Sequence, residues 1–276
     1  MRTGLVMLAA GITLTHQTFG AENIAIQSVL SDWPVEIRKE HRPGTYWWCP
    51  GSAFDRENID RNLERMQEAG IGNVHLVPIY GARGYEDRHI DFLSFEWIEM
   101  LHYIVQKCQR LGMNLDMTTG TGWCFGGPGL DRRMSDGVAS YDKNNKTLSL
   151  NPGKRVKRAA PGGEGNMLNP YSSASMRFYL KRFSRAFESR KPNLPRAQYH
   201  DSFEYNGDWC SDLLEKFKAL LGYDLAEHLD MFFDDGDSSE TRARIKCDYR
   251  TTAVRNAIPG LPRPQASVRS QNHDPQ

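Results

Sequence analysis

Strand-like apolar runs alternate with amphipathic helical patterns along most of this chain of 276 residues. Each helical pattern is long enough to connect two neighbouring parallel strands, so the alternation predicts an α/β fold. The segments that follow the strands are rich in glycine and aromatic residues, which favours a (β/α)8-barrel-type domain truncated to about four βα units. A doubly wound open sheet has the same periodicity and stays an alternative. The predicted strands are 46–51, 73–80, 113–117 and 197–202, and the predicted helices are 55–69, 97–111, 172–187 and 208–221.

The N-terminus has the pattern of a secretory signal peptide. Arg2 precedes an apolar run over 5–14, and small residues follow up to Ala21. We therefore predict a signal peptide over 1–21, a linker over 22–41 and an exported bacterial protein, periplasmic or extracellular. We expect no transmembrane segment after the signal peptide.

The C-terminal end of the chain differs in composition from the middle. From 253 to 276 prolines and scattered polar residues replace the apolar periodicity. We expect a partial barrel domain over 42–252, followed by a disordered or aberrant tail that packs against nothing.

Charge and cysteine usage exclude several classes of protein. The 35 basic and 34 acidic residues nearly cancel, which argues against nucleic acid as a partner. The 6 Trp, 11 Tyr and 12 Phe residues suit a site for neutral sugars, because aromatic faces stack on pyranose rings. The five cysteines are scattered, which argues against a zinc site and a disulfide scaffold. Most of them are expected to be buried as small apolar residues.

Two carboxylates lie at the end of the fourth predicted strand. Asp201 and Glu204 stand among the aromatic residues Tyr199, Phe203 and Tyr205. Apolar surroundings raise the pKa of a carboxyl group, as the general acid of a glycosidase requires. Glu204 is therefore a candidate catalytic acid. The alternative is that Asp201 caps a helix and Glu204 belongs to its first turn.

A glycine-rich loop over 118–128 follows the third predicted strand. Its glycines permit close approach of the backbone to a ligand, and Trp123 and Phe125 offer surfaces for stacking on a sugar. A phosphate-binding loop is the alternative, but the G-K-S/T ending is absent. Trp48 on the first predicted strand and Asp116 on the third are further candidates for substrate binding.

The segment 156–165 combines a basic pair with glycines. Lys157 and Arg158 fit a solvated or protease-sensitive loop. Glu164, which lies among the glycines, could instead reach a sugar hydroxyl or a metal ion, because hard cations take carboxylate oxygens from flexible loops. The sequence leaves both interpretations open.

Five segments share motifs with one family of enzymes: 46–53, 68–72, 111–128, 157–165 and 200–204. In these motifs the chain resembles the catalytic domain of glycoside hydrolase family 106, the bacterial α-L-rhamnosidases. The resemblance runs from about 42 to 250. It implies a (β/α)8 barrel with added β-rich domains and the inverting hydrolysis of α-L-rhamnosides in plant or microbial polysaccharides. It also implies that Ca²⁺ assists the reaction. The implied partner is a rhamnoside-containing glycan.

Inversion needs two carboxylic groups about 6.5–9.5 Å apart. Under the resemblance Glu204 is the candidate acid, and Asp201 holds a neighbouring side chain or a sugar hydroxyl. The sequence offers no convincing second catalytic carboxylate, so we expect this fragment to be inactive alone.

The chain departs from the family in two ways. The stretch 131–152 is shorter than in relatives, and the second half of the barrel is missing. Uncovered strand edges and apolar faces then predict aggregation. A non-catalytic carbohydrate-binding remnant is the second interpretation, and a nucleotide-binding α/β protein is the third.

Overall fold

The computed structural model describes residues 37–188 and 193–257. Short 3-10 helices occur at Lys39–His41, Glu86–Arg88 and Leu225–His228. The strands are β1 Gly44–Pro50, β2 Asn73–Ile79, β3 Asn114–Thr118, β4 Gly126–Gly127, β5 Gly137–Asp142, β6 Thr147–Pro152, β7 Asn166–Met167 and β8 Ala197–Tyr199. The α-helices are α1 Arg56–Glu68, α2 Phe95–Arg110, α3 Ser173–Glu188, α4 Leu213–Leu221, α5 Leu229–Phe232 and α6 Glu240–Ala257.

A parallel sheet of four strands, in the order β1-β2-β3-β8, lies at the centre of the fold. Tyr46 pairs with His75, His75 with Asp116, and Asp116 with Ala197, so one register runs across all four strands. Parallel strands in chain order, joined by helical crossovers, confirm the predicted α/β fold. All four carboxyl ends meet at one edge of the sheet, where the loops that follow them lie side by side.

Helices cover one face of this sheet. Leu76 and Met117 point from the strands into a core that α1, α2 and α3 complete. The helices begin where side chains cap them: Asp55 accepts a hydrogen bond from Asn58 N, and Ser94 accepts one from Trp97 N. Apolar residues recur at helical spacing, so each of these helices has one apolar face, and that face packs against the sheet.

The opposite face of the sheet carries aromatic side chains that remain open to solvent. Tyr46, Trp48 and Tyr199 are 47%, 45% and 38% exposed. No helix of the described residues packs over them. A doubly wound sheet has helices on both faces, so the one-sided arrangement argues against that alternative. Closure of this sheet into a barrel stays a prediction.

A second apolar core lies outside the sheet. Helices α4, α5 and α6 pack together around Phe217 and Ile245, and the β5–β6 hairpin lies against them through Tyr141 and Leu150. The predicted helix 208–221 begins only at Leu213 and belongs to this second core. Its assignment to a fourth βα unit on the sheet was therefore wrong.

The last helix runs past the predicted end of the domain. Helix α6 extends to Ala257, and Ala253 is 5% exposed within the second core. The boundary at 252 thus falls inside a packed helix. The rest of the tail, the predicted signal peptide and most of the linker lie outside the described residues. Within 37–188 and 193–257, no helix combines the length and apolar character needed to cross a bilayer.

Candidate functional site

Two loops meet at the carboxyl ends of β2 and β3. The amide of Trp123 donates to Lys157 O at 3.0 Å, and the amide of Lys157 donates to Trp123 O at 2.6 Å. Gly122 makes this approach possible, because a Cβ atom at its position would lie 2.0 Å from Lys157 O. Its φ of 54° also lies in the left-handed region that favours glycine. The glycine-rich loop is therefore shaped to hold the basic segment.

Glu204 lies in the loop after β8, where it forms an ion pair with Lys157. Lys157 Nζ is 2.5 Å from Glu204 Oε2, and Ser202 Oγ donates to Oε1 at 3.0 Å. The Glu204 side chain is 37% exposed. Both carboxylate oxygens thus have a donor, and the loop after β8 is tied to the loop that contains Lys157.

The electrostatics of Glu204 differ from the sequence-based expectation. Hydrogen bonds from Lys157 and Ser202 lower the pKa of Glu204, and they outweigh the opposing effect of burial. The predicted rise in this pKa was wrong because a cation, absent from the local sequence, faces the carboxylate. The helix-cap alternative was wrong too, since residues 200–210 have no regular structure and the next helix begins at Leu213.

Buried Asp136 holds the far end of the Glu204 loop. It is 0% exposed and accepts a hydrogen bond from Gly207 N at 3.0 Å and one from Asn206 N at 3.3 Å. Burial raises the pKa of Asp136, although these two hydrogen bonds oppose the rise. The loop that carries Glu204 is thus anchored on the polypeptide just before β5.

Asp201 and Phe125 border a small hollow beside the glycine-rich loop. Its volume of about 10 Å³ suffices for roughly one water molecule and is too small for a sugar ring. The ring of Phe125 lies 5.1 Å from that of Tyr179 and 4.7 Å from that of His200. Phe125 therefore packs within the protein, whereas Asp201 lies half-buried at the rim and accepts a hydrogen bond from Ser202 N at 2.7 Å.

Trp48 and Trp123 form an aromatic corner at the same edge of the sheet. Their ring centroids are 5.8 Å apart, and the planes meet at 71°. Tyr80, just after β2, is 45% exposed. The exposed Arg158 side chain lies over both Trp123 and Tyr80. These rings offer apolar faces beside the loop segment that bears Lys157, as a pyranose-binding surface requires.

Two other predicted site residues lie elsewhere. Asp116 accepts two hydrogen bonds from Arg196, at 3.0 Å and 2.6 Å, so both of its oxygens are engaged in holding β3 to the entry of β8. Glu164 is exposed in the turn before β7, and within the described residues it makes no hydrogen bond or ion pair with Glu204, Trp48 or Trp123. The structure therefore groups the Glu204 loop with the aromatic corner and leaves Asp116 and Glu164 apart.

The resemblance to family 106 implies a calcium ion, and its site stays a prediction. No three His, Cys, Asp or Glu side chains in 37–188 and 193–257 come together as metal ligands. Calcium takes 6–8 oxygen ligands, usually including several carboxylates. The carboxylate of Glu204 faces an ammonium group, and that of Asp116 faces a guanidinium.

Sequence reasoning missed the role of the basic pair. The sequence suited Lys157 and Arg158 to a solvated or protease-sensitive loop. In the structure Lys157 pairs with Glu204, and the guanidinium of Arg158 lies over the ring of Trp123. One sequence feature could have indicated this role. The basic pair is followed by a glycine-rich turn, and the chain contains another glycine-rich loop with aromatic residues, at 118–128. A larger cavity of about 770 Å³ lies between α3 and β8, and it contains none of the candidate residues.

Three comparisons relate the chain to known proteins. Residues 36–169 match the family model described as alpha-L-rhamnosidase, Glyco_hydro_106. A curated protein of Formosa agariphila, called a putative beta-glucuronidase, is 25% identical over 139 residues, which are 50% of this chain and 11% of that protein.

Among solved structures, a rhamnosidase from Novosphingobium sp. PP1Y superposes with a TM-score of 0.58 at 11% identity, over 82% of this chain and 44% of that one. At this identity the likeness shows the fold. The chain thus spans less than half the length of either relative. The family match ends before Asp201 and Glu204. The match over residues 36–169 confirms the resemblance to glycoside hydrolase family 106 that the motifs predicted.

Proposed function

We propose that this chain is part of an exported glycoside hydrolase that acts on α-L-rhamnosides in poly- or oligosaccharides. The observation that carries the proposal is the position of Glu204, which follows β8 and is tied by Lys157 to the loop that also bears the aromatic corner. Ligands of parallel α/β sheets bind outside the carboxyl ends of the strands. Export rests on the sequence pattern of 1–21.

In the proposed inverting reaction Glu204 protonates the glycosidic oxygen, and a second carboxylate activates water from the opposite face of the sugar. The pKa of Glu204 is lowered by Lys157, so the free protein holds it as a carboxylate at neutral pH. Proton donation therefore requires that a bound substrate separates Lys157 from Glu204. The candidate site residues offer no convincing second catalytic carboxylate.

The same ion pair favours a second candidate function, a carbohydrate-binding remnant without turnover. An ionised Glu204 accepts hydrogen bonds from sugar hydroxyls, and Lys157 donates one, which is how polar groups orient a sugar whose ring stacks on an aromatic face. Binding in this form needs no change in the protonation of Glu204.

Hydrolysis of an aryl α-L-rhamnoside separates the two functions. Turnover that Glu204→Gln abolishes would support the hydrolase. The matched control is Glu96→Gln, an exposed acid in the first turn of α2, which should leave turnover unchanged. Rhamnoside binding seen by saturation-transfer NMR, with no product released, would support the binding remnant. Absence of both binding and turnover in a folded sample would contradict both functions.

A further inference from the structure

Arg158 is an exposed arginine whose guanidinium lies over two aromatic rings. Its Cζ atom is 4.8 Å from the ring centroid of Trp123 and 6.0 Å from that of Tyr80. No carboxylate of the described residues forms an ion pair with it. A cation–π contact uses the charge of the guanidinium and does not consume its N–H groups, which can therefore donate to a ligand.

The backbone fixes the place of this guanidinium. Arg158 O accepts a hydrogen bond from Tyr80 N at 2.9 Å, and the preceding residue pairs with Trp123 through both of its backbone groups. Arg158 itself has a φ of 55°, in the left-handed region that is costly for a residue with a side chain. The side chain is therefore positioned by two neighbouring segments before any ligand arrives, which reduces the entropy lost on binding.

The charge around Arg158 is positive. Lys154, Arg155 and Lys157 precede it within one short segment. Lys157 forms an ion pair with Glu204, and the charge of Lys154 acts on Asp136 and Glu204. The segment 154–158, which pairs with the glycine-rich loop beside the aromatic corner, thus carries four basic side chains, although the chain as a whole is almost neutral.

We propose that Arg158 forms an anion subsite which binds the carboxylate of a uronic acid residue within the glycan. The guanidinium fork matches a carboxylate and can donate two parallel hydrogen bonds to it. Trp123 and Tyr80 support the guanidinium, and Trp48 remains available to stack on a sugar ring. The inference rests on the proposed carbohydrate function of this site and specifies it: the ligand is an acidic glycan.

The test compares two disaccharides by isothermal titration calorimetry at neutral pH. One has α-L-rhamnose linked to D-glucuronate, and the other has the same linkage to D-glucose. We expect the acidic disaccharide to bind at least about tenfold more tightly in low salt, and this preference to shrink at high ionic strength.

Arg158→Gln should abolish the preference, and Arg158→Lys should retain part of it. The matched control Arg155→Gln removes the same charge from the same segment without touching the aromatic rings, and it should retain most of the preference.

The outcomes separate the subsite from the function on which it rests. Equal binding of both disaccharides by the wild-type protein would refute the anion subsite and leave carbohydrate binding intact. An unchanged preference in Arg158→Gln, or an equal loss in Arg155→Gln, would refute the role of Arg158. If a folded sample binds neither disaccharide, both the subsite and the carbohydrate function are contradicted. Circular dichroism of each variant establishes that it is folded.

Discussion

Lys157 Nζ lies 2.5 Å from Glu204 Oε2 and joins two loops that are 47 positions apart in the chain. The contact sets the protonation of the carboxylate, because the ammonium group stabilises its charged form. It also fixes the position of the Glu204 loop relative to the glycine-rich loop.

We predict that Lys157→Met raises the pKa of Glu204 towards its ordinary value of about 4.3. A carboxyl group with a lowered pKa stabilises the folded state above its unfolded pKa, and this contribution is lost as the pH falls through the folded pKa. The variant should therefore lose less stability than the wild type on acidification below about pH 4.3. Carbon-13 NMR titration of the Glu204 carboxyl measures the shift directly. Lys154→Met, which acts on Glu204 only through its charge, should give a smaller shift.

Gly122→Ala should destabilise the protein and separate the two loops. A methyl group there would collide with the carbonyl oxygen of Lys157, and the positive φ adds backbone strain. We expect a loss of about 1–3 kcal/mol in the free energy of unfolding, measured by urea denaturation. Gly70→Ala is the matched control: it also has a positive φ, of 82°, but a Cβ atom there meets nothing within 4 Å. Equal losses in the two variants would show that only backbone strain matters at Gly122.

Ser52→Ala should also destabilise the fold, through a buried hydrogen bond. Trp97 Nε1 donates to Ser52 Oγ at 3.0 Å, and both residues are 0% exposed. Removing the acceptor leaves the indole N–H without a partner, at a cost of about 1–3 kcal/mol in the free energy of unfolding. Ser140→Ala, at an exposed position on the β5–β6 hairpin, should change that free energy by less than about 0.5 kcal/mol. Thermal or urea unfolding of both variants provides the comparison.

Cysteine reactivity should be confined to one residue in the native protein. Cys247 is exposed on α6, whereas Cys49, Cys108, Cys124 and Cys210 are free and buried. Burial raises the pKa of Cys108 and of Cys210 to about 12, so their thiolates are scarce at neutral pH. A thiol reagent should label one cysteine quickly in the native state and all five after denaturation. Fast labelling of Cys49, Cys108 or Cys210 in native protein would show that one of the two cores opens.

The sequence predicted the elements whose signal is local. The helices α1, α2 and α3 and the strands β1, β2 and β3 lie within a few residues of their predicted bounds, because apolar periodicity, caps and glycine stops are read from neighbouring residues. Burial of most cysteines was confirmed as well. The β5–β6 hairpin was missed because its apolar residues pack on α4, α5 and α6, which come much later in the chain.

The candidate site was harder to predict, because its pairings are not local. The sequence shows that Glu204, Asp116, Lys157 and Arg196 are charged, but it does not show which charges meet. Asp116 pairs with Arg196 across 80 positions. That pairing links β3 to the segment before β8, and a substrate-binding role for Asp116 stays a prediction. Trp48 and Trp123 lie together because both stand near the carboxyl ends of strands, and their role in substrate binding stays a prediction.

The strand order has a consequence for the kinetics of folding. The β1, β2 and β3 strands are joined by single helices, whereas β8 pairs with β3 only after the glycine-rich loop, the hairpin and α3 have intervened. Closing a longer loop costs more entropy before its contacts form. We therefore expect β1 to β3 to assemble early with α1 and α2, and β8 to dock late. Glu204 would reach Lys157 in one of the last steps, so its ion pair reports on completion of the native state.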